Sequence, residues 1–169
     1  MDYLDIGRVI VFTQNTPIWT ILGSCVGVVL YSPRTQKGAF CHAQLPEKEY
    51  KSKLCSDSCV HPCFKDLPEN NEFKYVTCSI EYMFHQLSKM GIKNTEIKVL
   101  IFGGSDLFKF TFNEISVGTR NLDTARKVLK NLNLQISQED VGGHYGRKIT
   151  FYPETGKAVV KILENSFHQ

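Results

Sequence analysis

Two residues near the start of the chain have side chains suited to acyl chemistry. Cys25 follows Gly23-Ser24 at a bend between two apolar runs, and His42 lies in the run Gly38 to Leu45. Between them stands Ser32-Pro33-Arg34-Thr35, with proline where a type I turn wants it. A hairpin turning there has its centre between residues 33 and 34, so that Cys25 faces His42. Directly opposed residues hold their Cβ atoms about 4.5–5.5 Å apart. In that register Gly27 meets Phe40 and Val28 meets Ala39, large against small.

The thiolate is the nucleophile, and a free cysteine with a pKa of about 8.5 is mostly thiol at neutral pH. A neighbouring imidazole can take its proton and leave an ion pair. A third group must hold the imidazole's tautomer, and Thr20 and Ser24 are the candidates at hand. Gly23 and Ser24 are small enough to admit a substrate carbonyl, and backbone N–H groups at that bend suit an oxyanion hole. The bland alternative is an incidental buried pair. Cys41, next to His42, points to the opposite sheet face and reads as core.

A second constellation is Cys55-Ser56-Asp57-Ser58-Cys59-Val60-His61-Pro62-Cys63. With His61 or Cys78 as a fourth ligand, Cys55, Cys59 and Cys63 can hold zinc or iron. A reversible disulfide and unremarkable loop thiols are the competing readings. Among lone residues, His144 sits in a glycine-rich turn, Arg120 and Asn121 cap or brace a helix, and Asp140 reads as a turn carboxylate.

The elements that position these groups are short. Val9 to Phe12 reads as a strand. So does Val26 to Tyr31, which is apolar on both faces, and Gly38 to Leu45 returns against it. From Pro46 to Asn71 the chain is polar and aperiodic, a loop insertion of a length that is usually functional or disordered. Val76, Ile80, Met83, Phe84 and Leu87 recur at helical spacing, with Gly91 as the stop. Ile97 to Phe102 is a strand entering Gly103-Gly104. Leu122, Ala125, Leu129 and Leu132 mark a second helix, and Leu134 to Ser137 a strand. Gly142 to Gly146 is a turn, and Ile149 to Tyr152 with Ala158 to Leu163 forms a closing hairpin. Many strands with two helices, without regular βαβ alternation, argue α+β with mixed or antiparallel sheets.

The bulk composition excludes several classes. At 169 residues, 42% apolar and 22% charged, the chain suits one domain spanning 1–169. A net charge of +3 is small and scattered, which argues against nucleic acid. No apolar run is long enough to span a membrane. Met1 to Arg8 carries aspartates and no basic start, so no secretory signal is expected and the cytoplasm is the expected location. In that compartment the six cysteines are not a disulfide framework.

The segment Thr20-Ile21-Leu22-Gly23-Ser24-Cys25-Val26 resembles the signature of the CheD family of chemoreceptor glutamine deamidases. The His42 strand ending in Leu45-Pro46 does too, as do Ile101-Phe102-Gly103-Gly104, Val117-Gly118-Thr119-Arg120-Asn121 and Asp140 to Lys148. The resemblance implies layered α/β/β architecture, similar to the catalytic domain of cytotoxic necrotizing factor toxins. It implies hydrolysis of glutamine side chains on methyl-accepting chemotaxis receptors, with Cys25 as nucleophile, His42 as base and Thr20 orienting the imidazole. No cofactor is required for that chemistry. The resemblance also implies a CheC-type phosphatase as a possible partner. The rivals are a binding module that regulates such a phosphatase, and a metal- or redox-responsive variant using Cys55, Cys59 and Cys63.

Overall fold

The computed structural model describes residues 1–47, 72–107 and 114–163. The cysteine-rich segment expected at about 46–71 falls almost wholly outside these residues. The strands are β1 (Asp2–Tyr3), β2 (Arg8–Phe12), β3 (Ile18–Leu22), β4 (Val26–Ser32), β5 (Lys37–Ala43), β6 (Lys98–Gly103), β7 (Ile136–Val141), β8 (Gly146–Tyr152) and β9 (Lys157–Leu163). The helices are α1 (Val76–Lys89) and α2 (Val117–Asn131). The strands form two mixed sheets, ordered β1-β3-β8-β9 and β2-β5-β4-β6-β7.

Alternation along β4, β5 and β6 divides the interior in two. Val26, Val28, Leu30, Ala39, Cys41, Ala43, Val99 and Ile101 face the helices, where Ile80, Met83 and Leu87 of α1 and Ala125 and Leu129 of α2 cover them. Val29, Tyr31, Phe40, Leu100 and Phe102 face the other sheet, against Ile18, Leu22, Ile149 and Phe151. The order is therefore helices, five-stranded sheet, four-stranded sheet. Strand β4 lies in the middle and is buried at every position, as its continuous apolar run requires.

The helices begin and end where local chemistry says they should. Ser116 caps α2, its hydroxyl accepting from the Thr119 N–H at 3.1 Å. Met90 closes α1, and Gly91 follows in the left-handed region at φ +75°. The strand after α2 begins at Ile136 rather than Leu134 and runs on to Val141, pairing parallel with β6. Leu134 is instead buried in the helix-side core, which explains the apolar signal at that position.

The hairpin register differs from the sequence-based expectation. Gly27, not Cys25, stands opposite His42, and Ser32 pairs with Lys37. The loop thus spans residues 33–36, with Gln36 at φ +54°. The turn is therefore centred between Arg34 and Thr35, one residue later than the proline signal suggested. A slip of one residue exchanges the faces of a strand, but a slip of two preserves them. Cys25, one residue before β4 and packed against the inter-sheet core, and His42, which turns toward that face, therefore still lie on the same side of the sheet. Gly27 between them contributes no side chain.

Gly103 ends β6 beneath the bend that carries Cys25 at φ +92°, and a Cβ there would lie 2.2 Å from the Cys25 carbonyl oxygen. Gly103→Ala is expected to cost about 2–4 kcal/mol, combining left-handed strain with overpacking. Denaturant unfolding measures it, and a loss below about 1 kcal/mol would mean that the bend moves aside easily.

Candidate active site

Thr20 points inward from β3, in the four-stranded sheet, and His42 points toward it from β5, in the five-stranded sheet. The Thr20 hydroxyl lies 2.8 Å from Nδ1 of His42 and 2.7 Å from the Leu4 carbonyl oxygen. A hydroxyl has a single proton, and a carbonyl can only accept. Thr20 therefore donates to Leu4 and accepts from His42, which places the ring proton on Nδ1. The network leaves Nε2 of His42 as a bare acceptor, buried and without a hydrogen-bond partner among the described residues.

The N-terminal segment is tied to both strands that carry the pair. The His42 carbonyl accepts from the Gly7 N–H at 2.8 Å, and Leu4 N–H donates to the Trp19 carbonyl at 2.9 Å. The N-terminal segment is thus part of the site. Its contribution is through backbone carbonyl and amide groups, which leave no mark on residue type.

Burial sets the electrostatics. His42 is 4% exposed, and burial lowers its pKa below the usual 6.5, partly offset by the Leu4 carbonyl and the Asp5 carboxylate. The same cause pushes the Cys25 thiol up to about 11, against a smaller lowering by its own backbone N–H. Burial thus disfavours the charged form of each group, thiolate and imidazolium alike. Cys41, on the helix face and fully buried, is pushed up to about 12 and packs as core.

The bend carrying Cys25 is held at consecutive carbonyls. The Ser105 N–H donates to the Gly23 carbonyl and the Gly104 N–H to the Cys25 carbonyl, each at 2.8 Å. The Ser24 carbonyl between them accepts from Nδ2 of Asn121 at 2.9 Å. The Leu107 side chain lies over Gly23, where a Cβ would come within 2.6 Å of it. On the flank of Ser24 opens a cleft of about 270 Å³ lined by Gln44, Leu45, Ser105, Asp106 and the start of α2.

Behind the 103–105 turn lies Arg147, whose side chain is fully buried. It donates to Ser105 Oγ at 2.8 Å and to the carbonyls of Gly142 and Gly103 at 2.8 and 3.3 Å. Its Nε lies 3.0 Å from the carboxylate of Asp140. Asp140 is thus a strand residue paired to a buried arginine, rather than a carboxylate of the turn. Nδ1 of His144 lies 2.9 Å from the Asp106 carbonyl oxygen, joining the glycine-rich turn to the same loop.

The geometry therefore brings Thr20, His42, Cys25, Gly23 and Ser24 into one region. Thr20, not Ser24, meets the imidazole. Asn121, expected as a helix brace, reaches instead to the bend at Ser24, and Arg120 is exposed. Sequence reasoning missed Arg147, Ser105, Leu4 and Gly7. A buried arginine after a glycine-rich turn was the one available signal. Cys55, Cys59, Cys63 and His61 lie outside the described residues, and Cys78 sits half-buried on α1. No helix among the described residues is long and apolar enough to cross a membrane.

The family model for CheD chemotactic sensory transduction proteins matches residues 62–162. A probable chemoreceptor glutamine deamidase CheD 2 of Geobacter sulfurreducens is 35% identical over 164 residues, covering 97% of this chain and 91% of that protein. The chemoreceptor glutamine deamidase CheD of Halalkalibacterium halodurans is 33% identical over 154 residues, 88% of this chain and 86% of its own. A probable deamidase of the same name from Methanococcus maripaludis is 30% identical, covering 94% and 92%. The Geobacter alignment takes in the Thr20, Cys25 and His42 region that precedes the family-model match. The chain belongs to the CheD family.

Proposed function

We propose that this protein hydrolyses glutamine side chains of chemotaxis receptors to glutamate and ammonia, with Cys25 as nucleophile, His42 as base and Thr20 as the group that orients the base. The observation that carries this reading is the hydrogen bond from Nδ1 of His42 to Thr20, with Nε2 left open. An imidazole so held can only accept a proton at Nε2, on the side away from Thr20.

The reaction follows from those positions. Nε2 takes the Cys25 proton as sulfur attacks the amide carbon, and the carbonyl π pair moves onto oxygen. The backbone N–H groups of the Gly23-Ser24-Cys25 bend are assigned to that oxyanion, a reading supported by the bend's carbonyls being bonded to other donors. When the tetrahedral intermediate collapses, the C–N bond breaks and the His42 imidazolium protonates the nitrogen, which leaves as ammonia. Water, activated by the same Nε2, then attacks the thioester; the C–S bond breaks and sulfur recovers its proton. Every atom is accounted for by the thiol, the imidazole, the amide and one water. The likeness to cytotoxic necrotizing factor catalytic domains belongs to the same reading, as does a CheC-type phosphatase as second partner. Any metal at Cys55, Cys59 and Cys63 would act outside this reaction.

Purified receptor cytoplasmic domain, incubated with the protein and followed by mass spectrometry of its glutamines, tests the proposal. Each converted site gains about one dalton and releases one ammonia. Cys25→Ala should lower the rate by about 10³-fold or more. An unconverted receptor in the presence of folded, reduced protein would sink the reading. Thr20→Val removes the acceptor for Nδ1–H and is expected to lower kcat by about 10²-fold, the lower end of what a positioned base supplies. A KM close to that of the unaltered protein should accompany it.

The pH profile separates a neutral pair from an ion pair. Protonated His42 cannot act as base, so activity rises as pH increases through a pKa below 6.5. The thiol, near 11, does not lose its proton independently until far higher pH, so the plateau should extend well above pH 8. A decline of kcat/KM near pH 8 would instead report a thiolate–imidazolium pair.

A further inference from the structure

The β4–β5 ladder ends at Val26 and Ala43. Cys25 lies one residue beyond its last pair, on a bend that leaves the sheet. Ladder hydrogen bonds therefore do not fix how far the nucleophile stands from the strand that carries His42. A fully buried side chain from α2 occupies the gap. Asn121 is 0% exposed, and its Nδ2 donates to the Ser24 carbonyl and to the Gln44 carbonyl, both at 2.9 Å. Ser24 immediately precedes the nucleophile, and Gln44 stands two residues after the base.

The chemistry of the amide makes this more than a generic buried contact. A carboxamide nitrogen carries two protons fixed in one plane. Each is spent on a different segment, so the spacing between those segments is set by the amide itself. No other neutral side chain of this size offers two donors from one atom. The helix bearing Asn121 is fixed in turn: a Cβ at Gly118 would lie 2.4 Å from the Ser105 carbonyl oxygen, so α2 rests directly on the 104–105 turn. That turn holds the Gly23 and Cys25 carbonyls. The amide is thus supported from the same elements that hold the bend on either side.

We propose that Asn121 is a positioning residue, whose amide replaces the missing ladder pair and sets the separation between the Cys25 thiol and Nε2 of His42. The proposal rests on the Cys25–His42 reading above. It acts on the proton transfer and not on substrate binding, so its signature lies in kcat and in the coupling between thiol and imidazole. A misplacement of about 1 Å can cost about 10²-fold in rate.

The test reads both quantities. In the first arm, deamidation of the receptor cytoplasmic domain is compared for the unaltered protein, Asn121→Ala and Tyr31→Phe. Tyr31 donates to the Pro153 carbonyl at the far end of β4, so its variant removes a hydrogen bond remote from the site. Asn121→Ala should lose about 10²-fold in kcat with KM within twofold, while Tyr31→Phe keeps kcat per folded molecule. The second arm needs no receptor: alkylation of Cys25 by iodoacetamide, read by mass spectrometry at that residue, in Asn121→Ala, His42→Ala and the double variant. His42 should accelerate alkylation in the unaltered protein, and Asn121→Ala should abolish most of that acceleration, so that the double variant reacts like His42→Ala alone. Should Asn121→Ala fail to fold, Asn121→Ser, whose site admits a water to bond the carbonyls without the fixed spacing, is read in the same way. Unchanged kcat and an unchanged His42 effect in a folded Asn121 variant would overturn the proposal. A His42→Ala protein alkylated as fast as the unaltered one would overturn the dyad, and the proposal with it.

Discussion

A threonine hydroxyl has one proton to give, and here it goes to the carbonyl of Leu4. Everything distinctive about His42 follows from that expenditure. The hydroxyl oxygen is left to accept, so the imidazole must present Nδ1–H to it, and its lone pair must sit on Nε2. The arrangement depends on two sheets meeting face to face, because Thr20 and His42 belong to different sheets. It depends equally on the N-terminal segment, which brings Leu4 under β3 and holds the His42 carbonyl through Gly7. A core that fills the space between the sheets with Phe40, Phe102, Ile149 and Phe151 keeps water from competing for these groups.

Cys25, the proposed nucleophile, faces the opposite problem. Cys25 lies in a bend, where no ladder supplies regular partners, yet a displacement of the sulfur would be costly. The fold meets this by converging on the bend from distant parts of the chain. Gly104 and Ser105 come from the end of β6, Asn121 from α2, and Arg147 from β8 stands behind the turn that bears the first two. A fully buried guanidinium is tolerated because its terminal nitrogens donate to carbonyls and a hydroxyl and the Asp140 carboxylate lies 3.0 Å from its Nε as a counter-charge. Its rigidity is transmitted to the bend through hydrogen bonds that end on peptide carbonyls. Side chains thereby fix backbone, and backbone fixes sulfur.

The sequence disclosed what rests on residue type and periodicity. The apolar run of β4, the stripes of α1 and α2, and the closing hairpin all carry their own signals, and the structure places them close to expectation. Cys25 and His42 were legible because a strand period of two puts them on one face, and that survives a register error of two residues. The error itself came from centring the turn between Pro33 and Arg34 when the loop runs from 33 to 36; Gln36, in the left-handed region, gave no signal of its own. Asn121 was read as serving its own helix because capping is the commonest work of asparagine near a helix start. Its real partners are separated from it by 97 and 77 residues, and only the folded chain reveals them. The roles of Leu4 and Gly7 are played by backbone atoms, which every residue type possesses. Residue identity could not have named them.

The electrostatics of the pair bear on how such a thiol remains usable. A preformed thiolate is reactive toward any electrophile that reaches it. Burial works against that state twice over, raising the thiol to about 11 and holding the imidazole neutral. On the proposed reading the proton moves as an acceptor for sulfur's electrons is seated, since attack on a carbonyl carbon and transfer to Nε2 would stabilise one another. Burial thus lowers the standing reactivity of Cys25 while leaving its coupled reactivity dependent on geometry alone. That is why a fixed tautomer and a fixed bend matter more here than a low pKa would, and why the groups that hold Cys25 and His42 in place reach into every layer of the fold.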